Sequence, residues 1–213
     1  MSVFLDLIFP KTCFGCKKIG RYFCQNCLDE QNTLAIETRD KNIEGRLSIF
    51  SYKKMVKNAI RELKYNFTTD LIGELSKICS NKIKTDYPNL LKYWQDNSFV
   101  MVPIPLHPYR QNWRSFNQSA ILAKKIAFSL KLKYRDDFLK RNKYTESQAK
   151  FRNKSSRIKN ISDVFCLDPN IKNIPKKIIL FDDVYTTGST LNSALKLFKI
   201  DDQNCHWFLA VAG

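Results

Sequence analysis

The chain has 213 residues, 44% of them apolar, with six glycines and seven prolines; this supports a packed domain with a small appendage and excludes a disordered or collagen-like chain. No apolar run reaches the ~20 residues of a membrane-spanning helix. A formal net charge of +16 predicts an acidic partner or an acidic substrate.

Residues 1–9 are apolar but short, with neither a basic leader nor a small-residue cleavage site. They read as an amphipathic helix docking on the domain. The expected location is therefore cytoplasmic, with at most a peripheral association with the inner membrane.

Next comes Cys13-x-x-Cys16, followed by Cys24-x-x-Cys27. Two such knuckles present four thiolates, enough to close a tetrahedral zinc site without an open position, so the metal is expected to be structural. Two disulfides are the rival reading, which a reducing compartment disfavours. A thioredoxin-like redox motif normally has one C-x-x-C, not two in tandem. A unit of this size has little core of its own, and a metal would supply the missing stability. Cys79, Cys166 and Cys205 stand apart in apolar surroundings and read as core residues.

Residues 31–46 are polar and read as a link, giving expected domains of 1–34 and 35–213. Leu47 to Tyr52 alternate weakly, as a short strand does. Val56, Ile60 and Leu63 fit one helix, and Leu71, Leu75 and Ile78 fit a second, after the Thr68-Thr69-Asp70 start signal. Phe99 to Ile104 read as a strand that Pro103 and Pro105 end. A loop with Arg110 and Arg114 follows, whose guanidinium forks suit a diphosphate as well as plain solvent. Ser119 to Leu132 form an amphipathic helix. Residues 140–159 are the densest basic stretch, with eight Lys and Arg against Glu146. The polar, basic loop from Arg141 to Phe165 that contains it reads as a lid, although a solvated basic helix has the same composition.

The run from Ile178 to Thr190 carries the most chemistry. Ile178 to Phe181 read as a buried strand, Asp182 and Asp183 stand at its end, and a Thr/Gly/Ser loop leads into a helix with Leu191, Ala194, Leu195 and Phe198 on one face. Ligands of open α/β sheets bind at the carboxyl ends of strands. Backbone amides at a helix start favour a phosphate, and ionised carboxylates, which only accept, favour a sugar diol. Together they describe a phosphorylated ribose. A strand, an acidic turn and a capped helix with no ligand would look similar in a shorter fragment. Trp207 to Val211 close the chain as a further strand. Strands alternating with helices predict an α/β fold with a mostly parallel sheet.

The 178–190 run resembles the phosphoribosyl pyrophosphate (PRPP) motif of type I phosphoribosyltransferases. With Leu7-Ile8-Phe9-Pro10 before the cysteines, Leu63-Lys64-Tyr65, Val102-Pro103-Ile104-Pro105, Phe116-Asn117-Gln118 and Thr145-x-x-Gln148 to Arg157-x-x-Asn160, in that order, nearly the whole chain resembles the ComF family. These are also called ComFC, or amidophosphoribosyltransferase-like competence proteins. Ser115 departs from the glycine usual in that family, and Phe151 from its leucine.

The resemblance implies a type I phosphoribosyltransferase fold that binds PRPP with Mg²⁺. Asp182 and Asp183 would hold the ribose hydroxyls. Val184, Thr186, Thr187, Gly188, Ser189 and Thr190 would form the rest of the PRPP site, the loop taking the 5′-phosphate. Lys64, Arg110, Arg114 and Arg141 are candidates for the pyrophosphate and lid. The implied role is DNA uptake in natural transformation, with single-stranded DNA and DNA-uptake machinery proteins as partners. The alternatives are a salvage or biosynthetic phosphoribosyltransferase acting on an unknown base and a non-catalytic PRPP-sensing regulator. No residue announces itself as a general base, and neither His107 nor His206 is assigned a role.

Overall fold

Continuous apolar runs need cover on both faces, and the sheet provides it. The computed structural model describes residues 10–31, 36–40, 43–65, 68–106, 116–141, 164–198 and 205–213. The expected helix at 1–9, the loop arginines Arg110 and Arg114, and most of the basic stretch 140–159 lie outside the described residues.

In chain order the elements are α1 (Gln25–Asp29), β1 (Glu37–Asp40), β2 (Ile43–Phe50), α2 (Lys54–Tyr65), α3 (Thr69–Asp86), α4 (Pro88–Asp96), β3 (Val100–Pro103), α5 (Gln118–Ser129), β4 (Lys133–Tyr134), β5 (Leu139–Arg141), β6 (Phe165–Leu167), β7 (Lys177–Val184), α6 (Ser189–Leu195) and β8 (Cys205–Ala212). The main sheet has the order β1-β2-β8-β7-β3-β4. Only the β1–β2 pair is antiparallel; β2–β8, β8–β7, β7–β3 and β3–β4 are all parallel. This is the mostly parallel sheet flanked by helices that the alternation predicts.

One core lies under α2 to α5, where Ile60, Leu63, Leu75, Trp94, Ile126 and Leu209 are among the buried residues. The other lies on the opposite face, under α6 and the antiparallel β5–β6 pair, with Leu180, Leu191, Leu195, Phe138 and Phe165. The four-cysteine unit is built into the first core: Cys13, Phe23 and Cys27 are buried in the same cluster as Met55 and Val56 of α2.

Three elements differ from the sequence reading. The polar link holds β1 and the first half of β2, because Glu37, Thr38 and Asp40 pair with Arg46, Gly45 and Ile43. Polar residues suit an edge strand, so composition alone does not separate one from a loop. The Ser119–Leu132 helix begins one residue earlier and stops at Ser129. Lys131 (φ 55°) then turns the chain, with bonds from Leu132 N to Ala127 O and Lys131 N to Phe128 O, a Schellman end made without glycine. Finally, β7 runs through the acidic pair: Asp182 pairs with Ala210 and Val184 with Ala212.

Candidate functional site

From the end of β3 the chain passes through α5 to β4, on one side; from the end of β7 it passes through α6 to β8, on the other. β3 and β7 are neighbours, so the order reverses between them. The starts of α5 and α6 flank the crevice at their carboxyl ends, the place where open α/β sheets bind ligands.

The acidic pair stands in this crevice. Asp183 is buried, with 6% of its surface exposed. Its Oδ2 lies 2.7 Å from Lys64 Nζ, in the last turn of α2, and 3.5 Å from Gln118 Nε2, which donates from the first turn of α5. Asp182 Oδ1 accepts from Ser119 Oγ at 3.2 Å and from the Asp183 N–H at 2.8 Å. Burial and the neighbouring Asp183 carboxylate push the Asp182 carboxyl up to about 8, against the opposing pull of the Asp183 N–H and Lys64.

Asn117 fixes the α5 side of the site. Its side-chain oxygen caps the helix by accepting from Ala120 N at 3.2 Å, and its amide donates to Ile104 O, just past β3, at 3.3 Å. That arrangement delivers Gln118 and Ser119, each 1% exposed, to the carboxylates. The sequence showed the Phe116-Asn117-Gln118 string and a helix start, but not which acids these side chains would meet. Ser119 was missed as a site residue for that reason.

Past β7 the chain turns at Gly188, whose φ of 70° only glycine adopts freely, and α6 begins at Ser189. A Cβ at Gly188 would come within 2.9 Å of Tyr185 Oη. Tyr185 is held in turn by Arg46 of β2, which donates to its hydroxyl and lies 4.6 Å above its ring, and by Phe208, 5.5 Å away. A small cleft is lined by Asp182, Thr186, Gly188, Ser189 and Thr190, and Val184 also lines it. The structure thus brings together Asp182, Val184, Thr186, Gly188, Ser189 and Thr190, with Asp183 and Lys64 adjoining; Thr187 is exposed and donates to Ser189 Oγ at 3.2 Å. Arg141 lies on β5, its guanidinium 5.3 Å over the Phe165 ring, at the foot of the basic stretch.

The second site is the cysteine unit. A bridge between Thr12 and Ile19 closes the first knuckle, and Lys17 turns it at φ 67°. Cys24 immediately precedes α1, and Cys27 lies within it. The four Sγ atoms lie within 4.8 Å of one another, a set that could hold a metal ion. Burial opposes ionisation of Cys13, yet the N–H groups of Cys24, Cys16 and Gly15 bring its thiol down to about 6. The Cys24 sulfur, burial and the other sulfurs push Cys27 up to about 12. Four crowded sulfurs resist becoming four thiolates until a cation joins them, and all-sulfur donors suit a soft or borderline metal. Of the other cysteines, Cys79 is fully buried, and burial raises its thiol. Burial and the Glu44 carboxylate push half-buried Cys205 up to about 12. Neither is poised as a nucleophile. His206 is buried, its ring 5.4 Å from that of Phe198.

The chain is an α/β protein with a mostly parallel sheet, an acidic pair at its switch point and a four-cysteine cluster anchored in its core through Cys13 and Cys27. No family model matches the chain. It is 31% identical over 190 residues to competence protein ComFC of Streptococcus pneumoniae, covering 86% of this chain and 77% of that protein. It is 28% identical over 210 residues to competence protein ComFC of Bacillus subtilis, covering 92% and 80%. To competence protein F of Haemophilus influenzae it is 34% identical over 101 residues, covering 47% and 44%. The chain belongs to the ComF/ComFC family of competence proteins. Among solved structures, adenine phosphoribosyltransferase of Leishmania tarentolae overlaps 84% of each chain at 10% identity, with a TM-score of 0.33.

Proposed function

We propose that the crevice between β3 and β7 binds PRPP. One observation carries the reading: Asp182 and the Gly188 turn into α6 line a single cleft, with Asp183 next in the chain, at the point where the strand order reverses. Asp182 and Asp183 take the ribose hydroxyls, and residues 186–190 take the 5′-phosphate at the start of α6. The oxygen donors here suit Mg²⁺, which supplies charge neutralisation to the diphosphate when it is bound with PRPP. Arg110, Arg114 and Arg141 are assigned to the diphosphate and lid. Calorimetric titration with PRPP and Mg²⁺ tests the site. Saturable binding is expected, and the double replacement Asp182→Ala, Asp183→Ala should abolish it while sparing metal at the cysteines; unchanged affinity in that variant would overturn the assignment.

We assign the four cysteines to structural Zn²⁺, on the strength of four clustered sulfurs, two of which, those of Cys13 and Cys27, are buried in the main core. The relatives are named competence proteins, and the net charge is +16; on both grounds we place the protein in DNA uptake, with single-stranded DNA as a partner. Binding to single-stranded DNA should then fall steeply with added salt, because lysine and arginine contacts to phosphate release counterions. A salt-insensitive or absent interaction would remove DNA from the reading.

A further inference from the structure

Lys64, a candidate diphosphate ligand, stands in the last turn of α2. Its geometry gives it a prior commitment. Its ammonium lies 2.7 Å from Asp183 Oδ2, with 24% of the lysine side chain and 8% of the aspartate side chain exposed. Among the described residues it is the cation that reaches the pair. Two adjacent carboxyl groups at this depth resist ionising together, and the negative charge they do carry draws a cation. The surroundings offer oxygen as well: Ser119 Oγ bonds Asp182, and Gln118 Oε1, in a residue 1% exposed, has no hydrogen-bond partner among the described residues while its amide nitrogen donates to Asp183. A buried amide oxygen left over beside a carboxylate is a donor that a hard cation would use.

We propose that Lys64 is a tethered counter-ion that occupies the acidic pair's cation position until a divalent cation displaces it. The displaced ammonium, still fixed to α2, is then available to an anionic ligand in the same crevice. In this arrangement one lysine neutralises the empty site and is released by the ligand's own metal. The proposal rests on reading the pair as the ligand site, and its test uses the metal alone, so a failure to bind PRPP does not decide it.

The experiment is Mn²⁺ binding followed by electron paramagnetic resonance, at low salt and without PRPP, on the zinc-loaded full chain. Lys64→Met should bind Mn²⁺ about tenfold more tightly than the unaltered protein, because the competitor is gone. Lys64→Arg keeps the charge and should stay within about threefold. Adding Asp183→Asn to Lys64→Met should remove the gain. Unchanged or weaker binding by Lys64→Met would overturn the proposal, as would absence of Mn²⁺ binding in both proteins. Should Lys64→Met not fold, the unaltered protein still decides. With its lysines carrying ¹³C-dimethyl groups, the Lys64 resonance, identified by its loss in Lys64→Arg, should shift on addition of Mg²⁺. A resonance that does not move would equally sink the idea.

Discussion

Asp182 shows how strongly one position can depend on its surroundings. Its carboxyl is raised by burial and by Asp183, to about 8. The folded protein therefore holds a proton there that the unfolded chain releases near the ordinary aspartate value of about 4. Stability from this group is fully present below that lower value, and it is lost as pH rises through 8. Replacing Asp182 with Asn removes the charge that burial penalises. Thermal melts between pH 5 and 9 should show a flatter pH dependence for Asp182→Asn, and a higher melting temperature above pH 8. A steeper loss with pH in the variant would contradict the stated origin of the shift. Gly188 is the other position where a single residue decides local geometry. Gly188→Ala places a Cβ 2.9 Å from Tyr185 Oη at a φ of 70°. The expected loss is about 1–2 kcal/mol in chemical denaturation, from backbone strain and the displaced tyrosine.

At the scale of the element, α5 matters most, because its first turn delivers two donors to the acids. The Asn117 cap was legible as a residue type before a helical pattern. Its second bond, to Ile104 O, was not, because it ties the helix to the strand whose end forms the other wall of the crevice. Asn117→Ala should lower stability by roughly 0.5–2 kcal/mol through the lost cap. It should also weaken PRPP binding although residue 117 touches neither carboxylate; binding that is unaffected would mean Gln118 and Ser119 hold their places without the cap. β7 shows the same limit of sequence reading. Its apolar half was plain, but its continuation through Asp182 and Asp183 depends on β8 pairing alongside.

The whole molecule joins its two sites through one core. Cys13, Phe23 and Cys27 pack with α2, and α2 also carries Lys64 to Asp183. Contacts reinforce the join: Phe23 N donates to Glu74 Oε1 at 3.1 Å, and Lys11 pairs with Asp70 at 3.3 Å, both on α3. With the cysteine unit so embedded, metal removal by a strong chelator should lower the melting temperature of the entire chain in a single transition. Cys13→Ser should do the same. A separate early transition that leaves the main unfolding unchanged would show that the unit does not support the domain.

Features that rest on neighbours along the chain are readable from residue order. The two cysteine knuckles, the apolar strands, the helix faces and the Asp182-Asp183 to Thr190 run are local patterns, and each was legible from spacing and residue type. Tertiary structure alone decided what depends on partners far apart in sequence. It decided that β3 and β7 are neighbours, that Lys64, Gln118 and Ser119 converge on one pair of acids, and that Cys13 and Cys27 are buried in the main core. The physical reason is that a carboxylate's charge state and accessibility depend on the dielectric and the cations around it, and these are supplied by elements brought there only when the sheet closes.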